Sequence, residues 1–187
     1  MVDLDDDPIE LVDSRHERWV ERYESERERV LEALAAAGLA DSIVRVEHVG
    51  STAVPDLAAK DIVDLDVVVA DGTVHEVATV VVDQLGGTQY DNHDGWSVVS
   101  RRHDGQRFNV HVFAVSDDGW RVSVATRDVR RDRDDLCDEY ESVKRRLAGQ
   151  SDDLGDYSKG KTQLVETLLE EARTAAYDFA FAVPEEA

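Results

Sequence analysis

The sequence predicts an α+β domain: a small mixed β-sheet carrying helices, followed by a C-terminal helical part. Three observations lead there. Two apolar, β-branched runs, 43–49 and 62–70, flank a Gly50-Ser51 turn. Two more extended runs, 96–102 and 106–115, flank His103-Asp104-Gly105 in the manner of a hairpin. From Asp117 onward the apolar spacing becomes helical and stays so.

Taken in order, residues 1–12 read as an acidic lead-in and 13–187 as one domain, with its C-terminal helices starting near 117. Ser14 and Glu17 have capping-box spacing. A helix is expected from about 15 to 37, stopped by Gly38, with Trp19, Tyr23, Val30, Leu31 and Leu34 as its apolar stripe. The run 43–49 is a strand, and Pro55 keeps 50–60 irregular. The second strand, 62–70, is nearly continuous in apolar character and so belongs in the middle of the sheet. Asp71-Gly72 turns the chain. Thr73 and Glu76 open a helix that Gly86-Gly87 ends, with Val77, Val80, Val81 and Leu85 facing inward. A short strand at 88–90 precedes the hairpin, in whose second arm Asn109 and His111 share a face. Helices are expected at 119–131, 134–147 and 160–179, with a polar loop at 149–156 between the last two.

Length and charge bound the function. The chain has 187 residues, 42% of them hydrophobic, which is enough for one real core. Its 21 basic against 42 acidic residues give a net charge of −21. That excess argues against strong nucleic-acid binding, which depends on Lys and Arg. The acidity is spread along the chain, lysine is scarce, and Asp, Val and Ala abound, a composition that fits a halophilic source. The single cysteine, Cys137, allows no intrachain disulfide. The acidic first residues lack a signal-segment pattern, and no run of about 18 apolar residues occurs. A soluble, cytoplasmic protein without a membrane partner is expected.

The chemistry concentrates in 46–69. On a strand, Asp64 and Asp66 point to one face, flanked by Ile62 and Val68. Carboxylates among aliphatic side chains are costly unless a positive group joins them. A divalent metal is the usual remedy, and two hard carboxylates suit Mg²⁺ carrying phosphate oxygens, with Mn²⁺ as the substitute. The alternative for the pair is a structural cap or salt bridge. Gly50 and Ser51 are placed to offer backbone N–H groups to phosphate. Ser51 and Thr52 either contact phosphate or cap the next turn. Lys60, between the turn and the acids, is a phosphate ligand or a surface lysine. His48 and His111 are ligands or satisfied core histidines. Arg127, Arg130 and Arg131 balance neighbouring acids or form an anion site, and Lys159 and Lys161 follow the same argument.

Gly50-Ser51, twelve residues, then Asp64-Leu65-Asp66 resembles the signature of the DNA polymerase β-like nucleotidyltransferase superfamily. The longer string from Glu47 through Gly50-Ser51-Thr52 to Pro55, with Leu57-Ala58-Ala59-Lys60, resembles the hallmark of the GrpB family, a branch of that superfamily. The likeness extends over about 12–175, through His111-Val112, Trp120, Arg127-Asp128 with Arg130, Tyr140-Glu141 with Lys144, and Tyr157 with Lys159 and Lys161. It implies a nucleotidyltransferase-like fold, catalytic roles for Asp64, Asp66 and His111, and metal on the two aspartates. Nucleotide or phosphate contacts would come from Gly50, Ser51, Thr52, Lys60, Arg127 and Lys161. By resemblance alone it also hints at coenzyme A metabolism. Two departures stand out. The family's Pro-Gly-Leu-Ala-Ala-Lys-Pro is here Pro55-Asp56-Leu57-Ala58-Ala59-Lys60-Asp61. The later strand offers Asn109 and His111 where active polymerase-type transferases place a third carboxylate.

Two functions follow as expectations. One is metal-dependent transfer of a nucleotidyl group to an acceptor. The other is a degenerate transferase that binds a nucleotide or another phosphorylated small molecule without chemistry.

Overall fold

The computed structural model describes residues 10–148, 162–175 and 177–186. Helix α1 (His16–Ala36) leads into β1 (Ile43–Val49), then β2 (Ile62–Val69), α2 (Val74–Leu85), β3 (Thr88–His93), β4 (Trp96–His103) and β5 (Gln106–Ala114). Helices α3 (Gly119–Asp132), α4 (Asp134–Ala148) and α5 (Thr162–Thr174) complete it. The sheet is five-stranded and mixed, in the order β1-β2-β5-β4-β3. Only the central β2–β5 pair is parallel; the other neighbours run antiparallel. Both central strands are flanked on each side, which is why β2 tolerates so apolar a sequence.

Strand alternation sorts the side chains to two faces. On one face Val67, Val69, Val99, Val110 and Val112 pack under Val30 and Leu34 of α1 and Val77 and Val81 of α2. On the other, Val68 and Phe113 are covered by Trp120 and Val124 of α3. Helices α3, α4 and α5 then close a second core of Ala125, Val129, Tyr140, Leu164, Leu168 and Leu169, into which Val54 and Leu57 of the β1–β2 connection are inserted. The helical part is therefore stitched to the sheet through that connection.

Several local expectations need correction. Ser14 does not cap α1: Arg15 occupies the cap position, and the Ser14 hydroxyl is buried without a partner. The Thr73 hydroxyl turns back to the Ala70 carbonyl at 2.7 Å instead of capping α2. In both cases the short hydroxyl arm follows local backbone direction, which spacing alone does not give. Val12, assigned to the lead-in, exchanges backbone hydrogen bonds with Ala59 at 2.8 and 3.0 Å. The hairpin turn is the two residues Asp104-Gly105, both at positive φ (47° and 77°), so His103 belongs to the strand and pairs with Gln106. The last helix ends at Thr174, not near 179. Beyond it Tyr177, Phe179 and Phe181, spaced two apart, lay their rings in a row (centroids 5.5 and 5.2 Å), and Phe181 meets Trp120 edge-on at 5.0 Å. Alternating aromatics reach that ring row from an irregular chain; a helix would turn them away from one another. The expected loop at 149–156 and the start of the last helix at 160 lie outside the described residues.

Both departures in the β1–β2 connection have physical consequences. Asp56 follows Pro55 and sits at φ 57°, the left-handed region where glycine is at no cost and aspartate is tolerated. Asp61 accepts hydrogen bonds from Trp19 Nε1 at 2.9 Å and Arg15 at 3.1 Å, tying α1 to the start of β2.

Candidate functional site

The parallel β2–β5 register sets Asp64 opposite Asn109 and Asp66 opposite His111. All four side chains stand on the face that α3 covers only in part. A cavity of about 370 Å³ opens there, walled by Gly50, Ser51, Thr52, Lys60, Asp64, Asp66, Asn109 and His111, with Ser123 from α3 and Lys144 from α4. The turn and the acids thus converge, although twelve residues separate Ser51 from Asp64.

Gly50 is required where it stands. It sits at φ 71°, and a β-carbon there would collide with the Asp64 carboxylate. Residues Ser51–Ala53 form a single 3₁₀ turn. That turn is held on every side. His48 Nε2 lies 3.1 Å from Thr52 Oγ1, His16 Nδ1 3.1 Å from the Thr52 carbonyl, and Arg131 donates to the Ala53 carbonyl at 2.8 and 2.7 Å.

The two aspartates differ sharply. Asp64 is a quarter exposed and accepts from Asn109 Nδ2 at 3.0 Å. Asn109 is itself oriented by the Ser100 hydroxyl, which donates to its Oδ1 at 2.6 Å. Asp66 is 1% exposed, and no group meets hydrogen-bond geometry at either carboxylate oxygen, although the Ser123 hydroxyl lies near enough to favour its charged form. Burial pushes its carboxyl up to about 7, an effect that His111 and Ser123 offset only in part. His111 Nε2 faces Asp64 Oδ1 at 3.7 Å. Burial opposes its charge, but Asp64 and Asp66 together outweigh that and raise its pKa. Its ring also lies beside Trp96 and Phe113, centroids 6.1 Å away in each case.

The remaining residues singled out in the sequence divide between the cavity wall and positions away from it. Gly50, Ser51, Thr52 and Lys60 line the cavity, but the Thr52 hydroxyl is engaged by His48. Arg127 is not on the cavity wall. Its guanidinium bonds Glu47 (2.7 Å), the His48 carbonyl (2.9 Å) and Asp128 (2.7 and 3.1 Å), clamping α3 to β1. The expected anion contact gives way to this clamp because three acceptors already satisfy it, as the raised pKa from Asp128 and Glu47 against burial reflects. Lys159 and Lys161 lie outside the described residues. His48 is buried and stacked on Tyr23 at 4.7 Å; burial drives its pKa down to about 3, so it is a neutral prop for the turn.

Residue-by-residue reading left out Ser123, Lys144 and Glu47. Glu47 stands opposite Asp66 on β1 but is occupied by Arg45 and Arg127, which lower its pKa against the effect of burial. Lys144 belongs to the wider family likeness, with Tyr140-Glu141, and not to the glycine-turn string. Its burial partner, Tyr140, four residues earlier on α4, is the signal that its side chain turns inward.

The donor set bears on metal. Among the described residues, no group of three or more His, Cys, Asp and Glu side chains is arranged to hold a metal ion. Two carboxylates are nonetheless what Mg²⁺ commonly takes from a protein, the rest of its shell being water and phosphate oxygen. The buried, unpartnered Asp66 oxygens fit such a cation.

Fold and site together mark a compact α+β domain with a carboxylate-bearing cavity at a glycine turn. The chain belongs to the GrpB protein family, whose family model matches residues 8–171. It is 38% identical over 163 residues to a UPF0157 protein of Streptomyces coelicolor, covering 84% of this chain and 81% of that one. A UPF0157 protein of Deinococcus radiodurans is 31% identical over 166 residues, covering 88% and 82%. The fold is that of the crystal structure of conserved protein GrpB from Enterococcus faecalis, with a TM-score of 0.70 at 24% identity over 87% of this chain and 96% of that chain. Among the described residues no helix is long and apolar enough to cross a membrane.

Proposed function

We propose that the chain is a nucleotidyltransferase-type protein whose cavity binds a nucleotide through Mg²⁺ or Mn²⁺ held by Asp64 and Asp66. The observation that carries this reading is Asp66: a carboxylate buried to 1% exposure, without a hydrogen-bond partner, beside a second carboxylate on a cavity wall. A divalent cation would neutralise both and bring phosphate oxygens with it. Gly50, Ser51 and Lys60 would face those phosphates, and His111, held toward its charged form by the aspartates, would donate a hydrogen bond to one. In transfer, an acceptor hydroxyl oxygen bonds to the α-phosphorus while the bond to pyrophosphate breaks, and the hydroxyl proton passes to a base. A divalent cation held by Asp64 and Asp66 would supply charge stabilisation to that exchange.

A second reading, binding without transfer, draws on β5. The residues opposite the aspartates are Asn109 and His111, neither able to supply the third carboxylate's charge. Purified protein should bind Mn²⁺ in solution, read by electron paramagnetic resonance, and Asp64→Asn with Asp66→Asn should abolish it. Wild-type protein with a binding signal equal to the double variant's would end both readings. Pyrophosphate release from any nucleoside triphosphate supports transfer; a nucleotide that raises the Tm and is recovered intact supports binding alone.

A further inference from the structure

We infer that the chain has a second ligand site, a cavity lined by Arg130 that takes a free apolar α-amino acid, its carboxylate on the guanidinium and its ammonium among exposed acids. This cavity, about 340 Å³, is lined by the β1–β2 connection, the end of α3 and the first half of α4. It shares no lining residue with the cavity that holds Asp64 and Asp66.

The inference starts from a comparison of buried arginines. Arg101 faces Glu26, and Arg127 faces Glu47 and Asp128. Arg130 is 5% exposed, yet among the described residues no carboxylate stands within ion-pair distance of it. Its Nε donates to the Thr126 carbonyl at 2.8 Å, and its guanidinium carbon lies 4.6 Å from the centre of the Tyr140 ring. Nη1 is buried without a hydrogen-bond partner. The carbonyl and the ring fix where the guanidinium points, but neither carries a full negative charge. A buried cation without an anion is costly, and a chain with 42 acidic residues has many carboxylates with which to pair it. An arginine that served only the end of α3 would do so from the surface.

The other lining residues select the anion. A guanidinium takes a carboxylate or a phosphate. Asp56, Asp134 and Asp138 line the same cavity and are exposed. Their charge repels a multiply charged anion and attracts an ammonium. A carboxylate and an ammonium on one carbon answer both demands, whereas in a peptide the two charges stand on different residues. Val54, Pro55 and Cys137 give a side chain apolar surface, and the volume is at the small end of ligand sites.

The test is calorimetric titration of the full chain with L-alanine, L-valine and L-leucine. Each is run beside the same molecule without its ammonium (propionate, isovalerate, 4-methylpentanoate) or without its carboxylate (ethylamine, isobutylamine, isopentylamine), and inorganic phosphate completes the series. At least one amino acid should bind, about tenfold or more tighter than either truncated form and than phosphate. Arg130→Met should weaken it about tenfold to a hundredfold. Because no carboxylate loses a partner, that variant should keep the wild-type Tm or exceed it. Asp134→Asn with Asp138→Asn changes only exposed side chains and should weaken the amino acid about twofold to fivefold without weakening the carboxylate-only compound. Binding by none of the three amino acids overturns the inference, as does a carboxylate-only compound or phosphate that binds as tightly. A folded Arg130→Met protein with lowered Tm and unchanged binding makes Arg130 structural and overturns it too. Should Arg130→Met fail to fold, the compound series and the double aspartate variant decide.

Discussion

Two buried carboxylates on opposite faces of the sheet make an instructive pair. Glu26 of α1 is fully buried, yet Arg101 of β4 and Arg29 both reach it, Arg29 at 2.9 and 2.7 Å. Arg101 in turn donates to the Leu85 carbonyl at 2.7 Å, so that charge cluster is internally satisfied and locks α1, α2 and β4 together. Asp66, as deeply buried, has no such partner. The first arrangement is architecture: each charge exists to hold another. The second leaves a carboxylate aimed at a cavity, a costly choice for stability that points to function.

The contrast can be broken most directly by substitution. Glu26→Gln should strand Arg101 in the core and cost about 3–5 kcal/mol, read by denaturant unfolding. A loss below about 1 kcal/mol would mean the cluster is not the lock described. Gly50→Ala should cost about 2 kcal/mol or more, from the left-handed backbone and the collision with Asp64, and should weaken Mn²⁺ binding as well. Asp66→Asn should do the opposite of Glu26→Gln and stabilise metal-free protein by about 1–2 kcal/mol at pH 8, since it removes an unpaired buried charge. Destabilisation of that size would refute the unpaired reading.

The pH dependence sharpens the same comparison. Asp66 keeps its proton in the folded state up to about 7, whereas the unfolded chain releases it in the ordinary carboxylate range. Its contribution therefore falls as pH rises from about 4 to about 7. His48 acts in the other direction. Folded it resists protonation down to about 3, so stability is lost as pH falls below the ordinary histidine value of 6.5. Against wild type between pH 4 and 7, Asp66→Asn should make stability rise more steeply with pH, and His48→Asn less steeply. Coincident profiles for the three proteins would show that neither group titrates as described. The smallest effect expected is at Asp56, where Asp56→Gly should relieve the left-handed strain and stabilise the fold by about 1 kcal/mol.

Much of this was legible beforehand, for identifiable reasons. Asp64 and Asp66 follow from strand periodicity, and Asn109 and His111 from the same rule on β5. That these pairs stand side by side required the parallel β2–β5 pairing, which no local pattern announces. Arg127 shows the converse. Its sequence neighbourhood suggested an anion contact, but Glu47, 80 residues earlier, had already claimed it. Lys144 entered the cavity because α4 folds back over the β1–β2 connection, a contact set by core packing of Val54 and Leu57.

By itself, the sequence determined the element order, the glycine turn, the apolar central strand and the two aspartates on one face, because these depend on short periods and local backbone preference. Tertiary structure alone decided which charges are spent on one another and which face the cavity. Pairing between Glu26 and Arg101, or between Lys144 and Ser51, spans 75 and 93 residues and is set by how helices dock on a sheet. The surplus of acid is visible in composition; that Asp66 is, among the described residues, a buried acid without a hydrogen-bond partner is visible only when every neighbour has been placed.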